Sequence, residues 1–87
     1  MENIYVAQLP TGKLVVGKRF QSGLDVHGNV LIEGVSPKGL YKRLPVWGVK
    51  PECVKEYKVT PDGTVWAMGA KLGHVRALRK AGYAVRA

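Results

Sequence analysis

The sequence predicts an α+β fold: a small antiparallel β-sheet of about five strands, one C-terminal helix at about residues 71–81 and a short helical turn at about 37–44. Three observations carry this expectation. Turn signatures built on Gly and Pro recur, each followed by a run of β-branched and aliphatic residues. A single stretch near the C-terminus repeats its apolar residues at helical spacing. The chain has 87 residues, room for a single domain over 1–87. A chain this short buries only about 60–65% of the surface its unfolded form exposes, so one modest core must suffice.

Ile4 to Leu9 mixes β-branched, aromatic and aliphatic residues, meets the turn Pro10-Thr11-Gly12 and gives way to a second run from Lys13 to Phe20. That order reads as a β-hairpin. The same grammar returns at Val26-His27-Gly28-Asn29 ahead of Val30 to Glu33, and at Thr60-Pro61-Asp62-Gly63 ahead of Thr64 to Met68. Gly12 to Gly17, Gly28 to Gly34 and Gly63 to Gly69 share a short Gly-x-Val/Leu pattern, which is recurrent turn chemistry and not a duplicated unit. Ser36-Pro37 opens the helical turn, because Ser caps free amides and Pro fits the first helical position. Leu40, Tyr41 and Leu44 then share one face, and Pro45 ends it. Val54 to Thr60 reads as a strand leading into the Pro61-Asp62-Gly63 turn. From Lys71 to Ala81, Leu72, Val75 and Leu78 form one stripe with Arg76, Arg79 and Lys80 beside it. Gly73 inside this helix costs about 1 kcal/mol relative to Ala. Gly82 is placed to end the helix in the left-handed conformation, and Tyr83 to Val85 reads as a short last strand.

Apolar residues make up 46% and charged residues 23%, values that indicate neither disorder nor a fibrous class. Apolar runs such as Leu14 to Val16 and Val30 to Ile32 are only a few residues long, far short of the roughly 20 residues a membrane-spanning helix needs, so no membrane partner is expected. Met1-Glu2-Asn3 lacks the basic start and apolar block of a secretory signal, which predicts a cytoplasmic protein. Cys53 stands alone, without a partner for a disulfide, and reads as a small packing residue.

Charge is the informative quantity. Fourteen Lys and Arg against six Asp and Glu give a net +8. The excess is lopsided. Met1 to Glu33 balances three basic with three acidic residues, Gly34 to Asp62 sets six against three, and Gly63 to Ala87 carries five basic residues and no acid. A positive field gathered at one end of a small fold is what binding to a phosphate backbone requires. Basic surfaces also dock on acidic proteins or anionic lipid.

Catalytic and metal chemistry find little footing. His27 and His74 are the only histidines, and with one Cys and no closely spaced carboxylate pair they assemble no ligand set; each reads as a surface or turn residue. Gly12-Lys13 and Gly17-Lys18 lack the long Gly-rich spacing and following hydroxyl of a phosphate loop. Ser22 and Ser36 stand outside a nucleophile elbow. No enzyme activity, cofactor or metal is expected. Aromatics do interleave with basic residues, at Tyr41-Lys42-Arg43, at Trp47 with Lys50, and from Lys55 to Lys58 around Tyr57. Such surfaces can stack bases while neutralising phosphates. As the largest hydrophobes, Trp47, Trp66 and Phe20 are expected in the core, which leaves Tyr41 and Tyr83 as the exposed rings.

The pattern Trp-x9-Tyr-x-Val-Thr-x-x-Gly-x-Val, carried by Trp47, Tyr57, Val59, Thr60, Gly63 and Val65, resembles the nuclease-associated modular DNA-binding motif of phage-type homing endonucleases. Gly82-Tyr83 with Val85 is similar, though one residue shorter in spacing, to the Gly-Tyr-x-x-Val ending of such segments. The match spans about residues 47–85, with no counterpart for residues 1–46. No His-Asn-His nuclease centre accompanies it, Thr60 stands where that family favours Ser, and Trp66 replaces a usual basic residue. The resemblance implies contact with DNA without cleavage.

The leading expectation is therefore a non-enzymatic binder of DNA or RNA. Lys71, Arg76, Arg79, Lys80 and Arg86 would contact the backbone, Lys38, Lys42 and Arg43 would form a second patch, and Tyr41 and Tyr83 would add stacking. The rival is a small accessory protein, of the kind phages and mobile elements encode, that binds and inhibits or redirects a host protein machine. Oligomeric state is open.

Overall fold

The computed structural model of the chain describes residues 2–35 and 44–87. In order these form β1 (Glu2–Gln8), β2 (Leu14–Arg19), β3 (Val30–Gly34), β4 (Val46–Val49), a 3-10 turn (Pro51–Cys53), β5 (Val54–Val59), β6 (Thr64–Trp66), α1 (Leu72–Lys80) and β7 (Ala84–Arg86). The expected α+β class holds. The sheet is larger than expected, with seven strands in the order β4-β3-β2-β1-β5-β6-β7, and it is mixed, because β7 runs parallel to β6.

Both differences have local causes. Val46-Trp47-Gly48-Val49 lies between Pro45 and Pro51 and contains a Gly, which hides a strand that β3 supports through register pairs from Val30–Val49 to Glu33–Val46. The parallel pairing follows from α1 itself, since a helix that returns the chain across the sheet brings the next strand in along the same direction. The helical turn expected at about 37–44 falls, Leu44 apart, outside the described residues.

Period-two alternation decides the two faces of the sheet. On β1, Ile4 and Val6 face α1, where they join Val16, Tyr57, Val59, Val65, Ala67 and Leu78 in one buried cluster. On the opposite face, Ala7, Val15, Val30, Ile32 and Val49 form a second cluster that, among the described residues, has no helix over it. That face is closed by curvature. β4 and β5 stand four strand spacings apart in the order, about 19 Å in a flat sheet. Only Lys50 to Cys53 join them, and three of these residues are wound in the 3-10 turn, so their reach is about 13 Å at most. The sheet must curl, and Cys53 and Val54 pack into the same cluster as Val49. The reading of Cys53 as a packing thiol is thus borne out.

Gly17 lets β3 approach β2 closely. It lies buried on β2 opposite Gly34 of β3, and a Cβ there would stand 2.3 Å from the Glu33 carbonyl oxygen and 2.5 Å from Ile32 Cγ2. Its resemblance to a phosphate-loop glycine is incidental.

Helix α1 occupies the expected span, with Lys71 and Ala81 as its flanking residues. Val75 and Leu78 are buried, whereas Leu72, expected on the same stripe, is exposed; partly buried Ala77 and Ala81 complete the contact instead. A Cβ at Gly73 would make a tight contact with Leu14 Cδ1 of β2 at 3.3 Å. The helix ends as the sequence predicts. Gly82 has φ +98°, its N–H donates to the Arg79 carbonyl at 3.0 Å, and the Tyr83 N–H donates to the Leu78 carbonyl at 3.1 Å. Tyr83 folds back on the α1 cluster, as the residue after such a cap does. Gly82→Ala is expected to lower stability by about 1 kcal/mol through the backbone alone, because nothing lies within 4 Å of the added Cβ. A urea midpoint equal to the parent's would show that the helix ends in another way.

Candidate nucleic-acid interface

The outer side of α1 gathers Arg76, Arg79 and Lys80, all exposed. Spacings of three and four residues keep them on one side of the helix, within about 6 Å along its axis. The inner positions Val75 and Leu78 are taken by the core, so the cations have no alternative but solvent. Lys71, also exposed, stands at the opposite end of the helix. Arg79 and Lys80 lie in the last turn, where they also favour the helix dipole. Arg76 is one turn earlier and has no such structural task. Among the described residues the sole ion pair is Lys18 with Glu2 at 3.6 Å, so these cations face no carboxylate partner.

The remaining expected site residues separate. Arg86 does not join the helix cations: Val85 pairs with buried Val65 under α1, so Arg86 projects from the opposite face of the sheet. Its guanidinium carbon lies 5.9 Å from the centroid of the Trp66 ring. Tyr83, expected to be exposed, is half-buried against the α1 cluster, where the helix cap holds it. Lys38, Tyr41, Lys42 and Arg43 lie outside the described residues. Among the large hydrophobes, Trp47 is half-buried with its ring against Gly34, as expected of a core residue. Trp66 and Phe20 are corrections, being 48% and 53% exposed. Trp66 follows buried Val65 on a three-residue strand, so alternation turns it away from α1, the one helix among the described residues. Phe20 lies just past the end of β2, beyond the reach of the core.

His27 is a turn residue, as expected; its backbone N–H donates to Asp25 Oδ1 at 2.8 Å. His74 is not free on the surface. It lies part-buried on α1, with Nδ1 2.8 Å from the Tyr57 hydroxyl and the two rings edge to face. Tyr57 is itself buried, so it cannot be the stacking ring between Lys55 and Lys58. Burial first, then the charges of Lys71 and Lys55, hold the His74 pKa below the usual imidazole value. The folded state therefore resists a proton that the unfolded chain accepts. Stability is full above the unfolded value of about 6.5 and falls as pH drops from there to the lowered folded value. His74→Gln should remove that slope, as urea midpoints at pH 5 and 7.5 would reveal. An identical slope in the variant would assign the pH dependence to other groups.

Among the described residues no cluster of three His, Cys, Asp or Glu could hold a metal ion, and no helix is long and apolar enough to cross a membrane. No protein-family model, curated protein or solved structure matches the chain.

Proposed function

We propose that the protein is a non-enzymatic nucleic-acid binder that contacts the phosphate backbone through the outer side of α1. The observation that carries this reading is the group Arg76, Arg79 and Lys80, exposed together, without carboxylate partners among the described residues, in a stretch from Gly63 to Ala87 that contains no acid. Exposed cations on a rigid helix fix a register on phosphates and read little sequence. Lys71, exposed at the other end of the helix, would add a separate backbone contact. The partial resemblance of residues 47–85 to a DNA-gripping module points the same way.

The test is affinity for mixed-sequence duplex DNA, single-stranded DNA and RNA at low and near-physiological salt, beside capture of partners from nuclease-treated lysate. The expected result is binding that tolerates sequence and weakens steeply with salt. No binding at low salt, with a stoichiometric protein partner that survives nuclease, would instead establish an accessory protein acting on a host protein machine, its basic face meeting an acidic one.

A further inference from the structure

The face of the sheet turned away from α1 carries a second arrangement. Asn3 pairs with Lys58, Lys58 with Trp66, and Trp66 with Arg86, so four side chains from β1, β5, β6 and β7 form one straight row. Their neighbours Ile4, Val59, Val65 and Val85 pack on the α1 side, which fixes the row on the other face. All four are exposed. Adjacent members are about 5 Å apart, so an indole of which nearly half is open to solvent sits between an ammonium and a guanidinium.

This is an unusual use of the largest apolar side chain in a small fold. The buried cluster on this face gathers on β1 to β4 and leaves Trp66 out. A shallow depression of about 430 Å³ adjoins the ring, lined by Thr60, Pro61, Asp62, Thr64, Trp66 and Arg86. Its one carboxylate, Asp62, is engaged within the turn by the Thr60 hydroxyl and the Thr64 N–H. On the same face Thr64 and Ala84 are polar or small. The exposed apolar surface at this end is therefore the Trp66 ring with the Met68 side chain two residues on, and the ring has a cation on each side in the row.

We infer that this row is a stacking platform for single-stranded nucleic acid, with an unpaired base on Trp66 and the flanking phosphates on Lys58 and Arg86. The inference rests on the nucleic-acid reading above and extends it to strand form. Stacking on a side chain needs a base with an open face, which a duplex keeps inside its stack. Position argues likewise. The α1 cations and the Lys58–Trp66–Arg86 row lie on opposite sides of one sheet, and a stiff duplex can rest against only one of them. A flexible single strand can pass around the β7 edge and engage both.

The test uses the full chain, labelled oligothymidylate and a duplex of equal length, with circular dichroism to verify folding. Trp66→Ala should weaken oligothymidylate binding roughly tenfold, the effect of one lost stacked base, and leave duplex binding unchanged; Trp66→Phe should retain most of the affinity. Lys58→Gln with Arg86→Gln, surface changes that leave the ring in place, should flatten the salt dependence on the single strand and not on the duplex. Oligothymidylate should also quench tryptophan fluorescence in the parent and lose most of that quenching in Trp66→Phe. Equal single-strand affinity across these variants, while loss of the α1 cations weakens binding, would overturn the platform and leave the nucleic-acid reading intact. Absence of binding to either form by the parent would overturn both.

Discussion

Changing Arg76, Arg79 and Lys80 together to Ala is expected to weaken nucleic-acid binding at every sequence tested. If all three meet phosphates, the slope of log affinity against log salt should flatten by about 2.7, at about 0.9 per contact on duplex DNA. Referred to 1 M salt, that is roughly several hundredfold at 0.1 M. The loss should be uniform across sequences, because cations on the outside of a helix that packs on a sheet reach phosphates and not base edges. Arg79 and Lys80 also favour the helix terminus by about 0.3–1 kcal/mol each, so the variant should melt somewhat earlier yet remain folded at assay temperature. A slope equal to the parent's would move the contacts off α1.

The largest expected effect on stability comes from one methyl group. Gly17→Ala would force a Cβ to within 2.3 Å of the Glu33 carbonyl oxygen, on backbone that is paired to β2 and cannot swing aside as a flexible side chain would. Overpacking of this kind costs typically 1–3 kcal/mol, and here the obstacle is main chain, so a loss of about 3 kcal/mol or failure to fold is expected. Gly12→Ala is the instructive contrast. There the added atom meets nothing within 4 Å and only the φ of +90° resists it, so the loss should stay near 1 kcal/mol. Urea denaturation of both variants checks the ordering, and a Gly17→Ala protein as stable as Gly12→Ala would mean that β3 can withdraw from β2.

The turns and the last helix were legible because their signals are local. Pro10-Thr11-Gly12, Thr60-Pro61-Asp62-Gly63 and Gly82 specify their own backbone, and α1 announces itself in Val75 and Leu78. What was not legible depends on partners far along the chain. Val46 to Val49 is a strand only because β3 lies beside it, and β7 is parallel only because of where α1 returns the chain. Exposure of Trp66 has the same origin. Its size argues for the core, but one residue of register decides which face of β6 it takes, and on the face away from α1 the buried cluster of the described residues does not reach that end. Arg86 is two residues from Ala84 and three from Tyr83 in sequence, yet only its pairing with Trp66 separates it from the α1 cations. The alternation of Lys58 with buried Tyr57 and Val59 was the available signal, had β5 been read as covered on one face only.

β1 is synthesised before the other six strands, and it ends in the middle of the finished sheet, with β2 on one side and β5 on the other. The hairpin with β2 can close once residue 19 has emerged from the ribosome, but the pairing of Glu2 with Val59 waits for forty more residues of nascent chain. Until then one edge of Ile4-Tyr5-Val6-Ala7 offers bare N–H and C=O groups on an apolar strand, an invitation to any neighbouring chain. Non-local pairing of this kind also goes with folding in milliseconds to seconds and not faster. A message truncated before residue 59 would therefore yield an aggregating fragment rather than a smaller working protein, and the fold is one that has to be finished before it is safe.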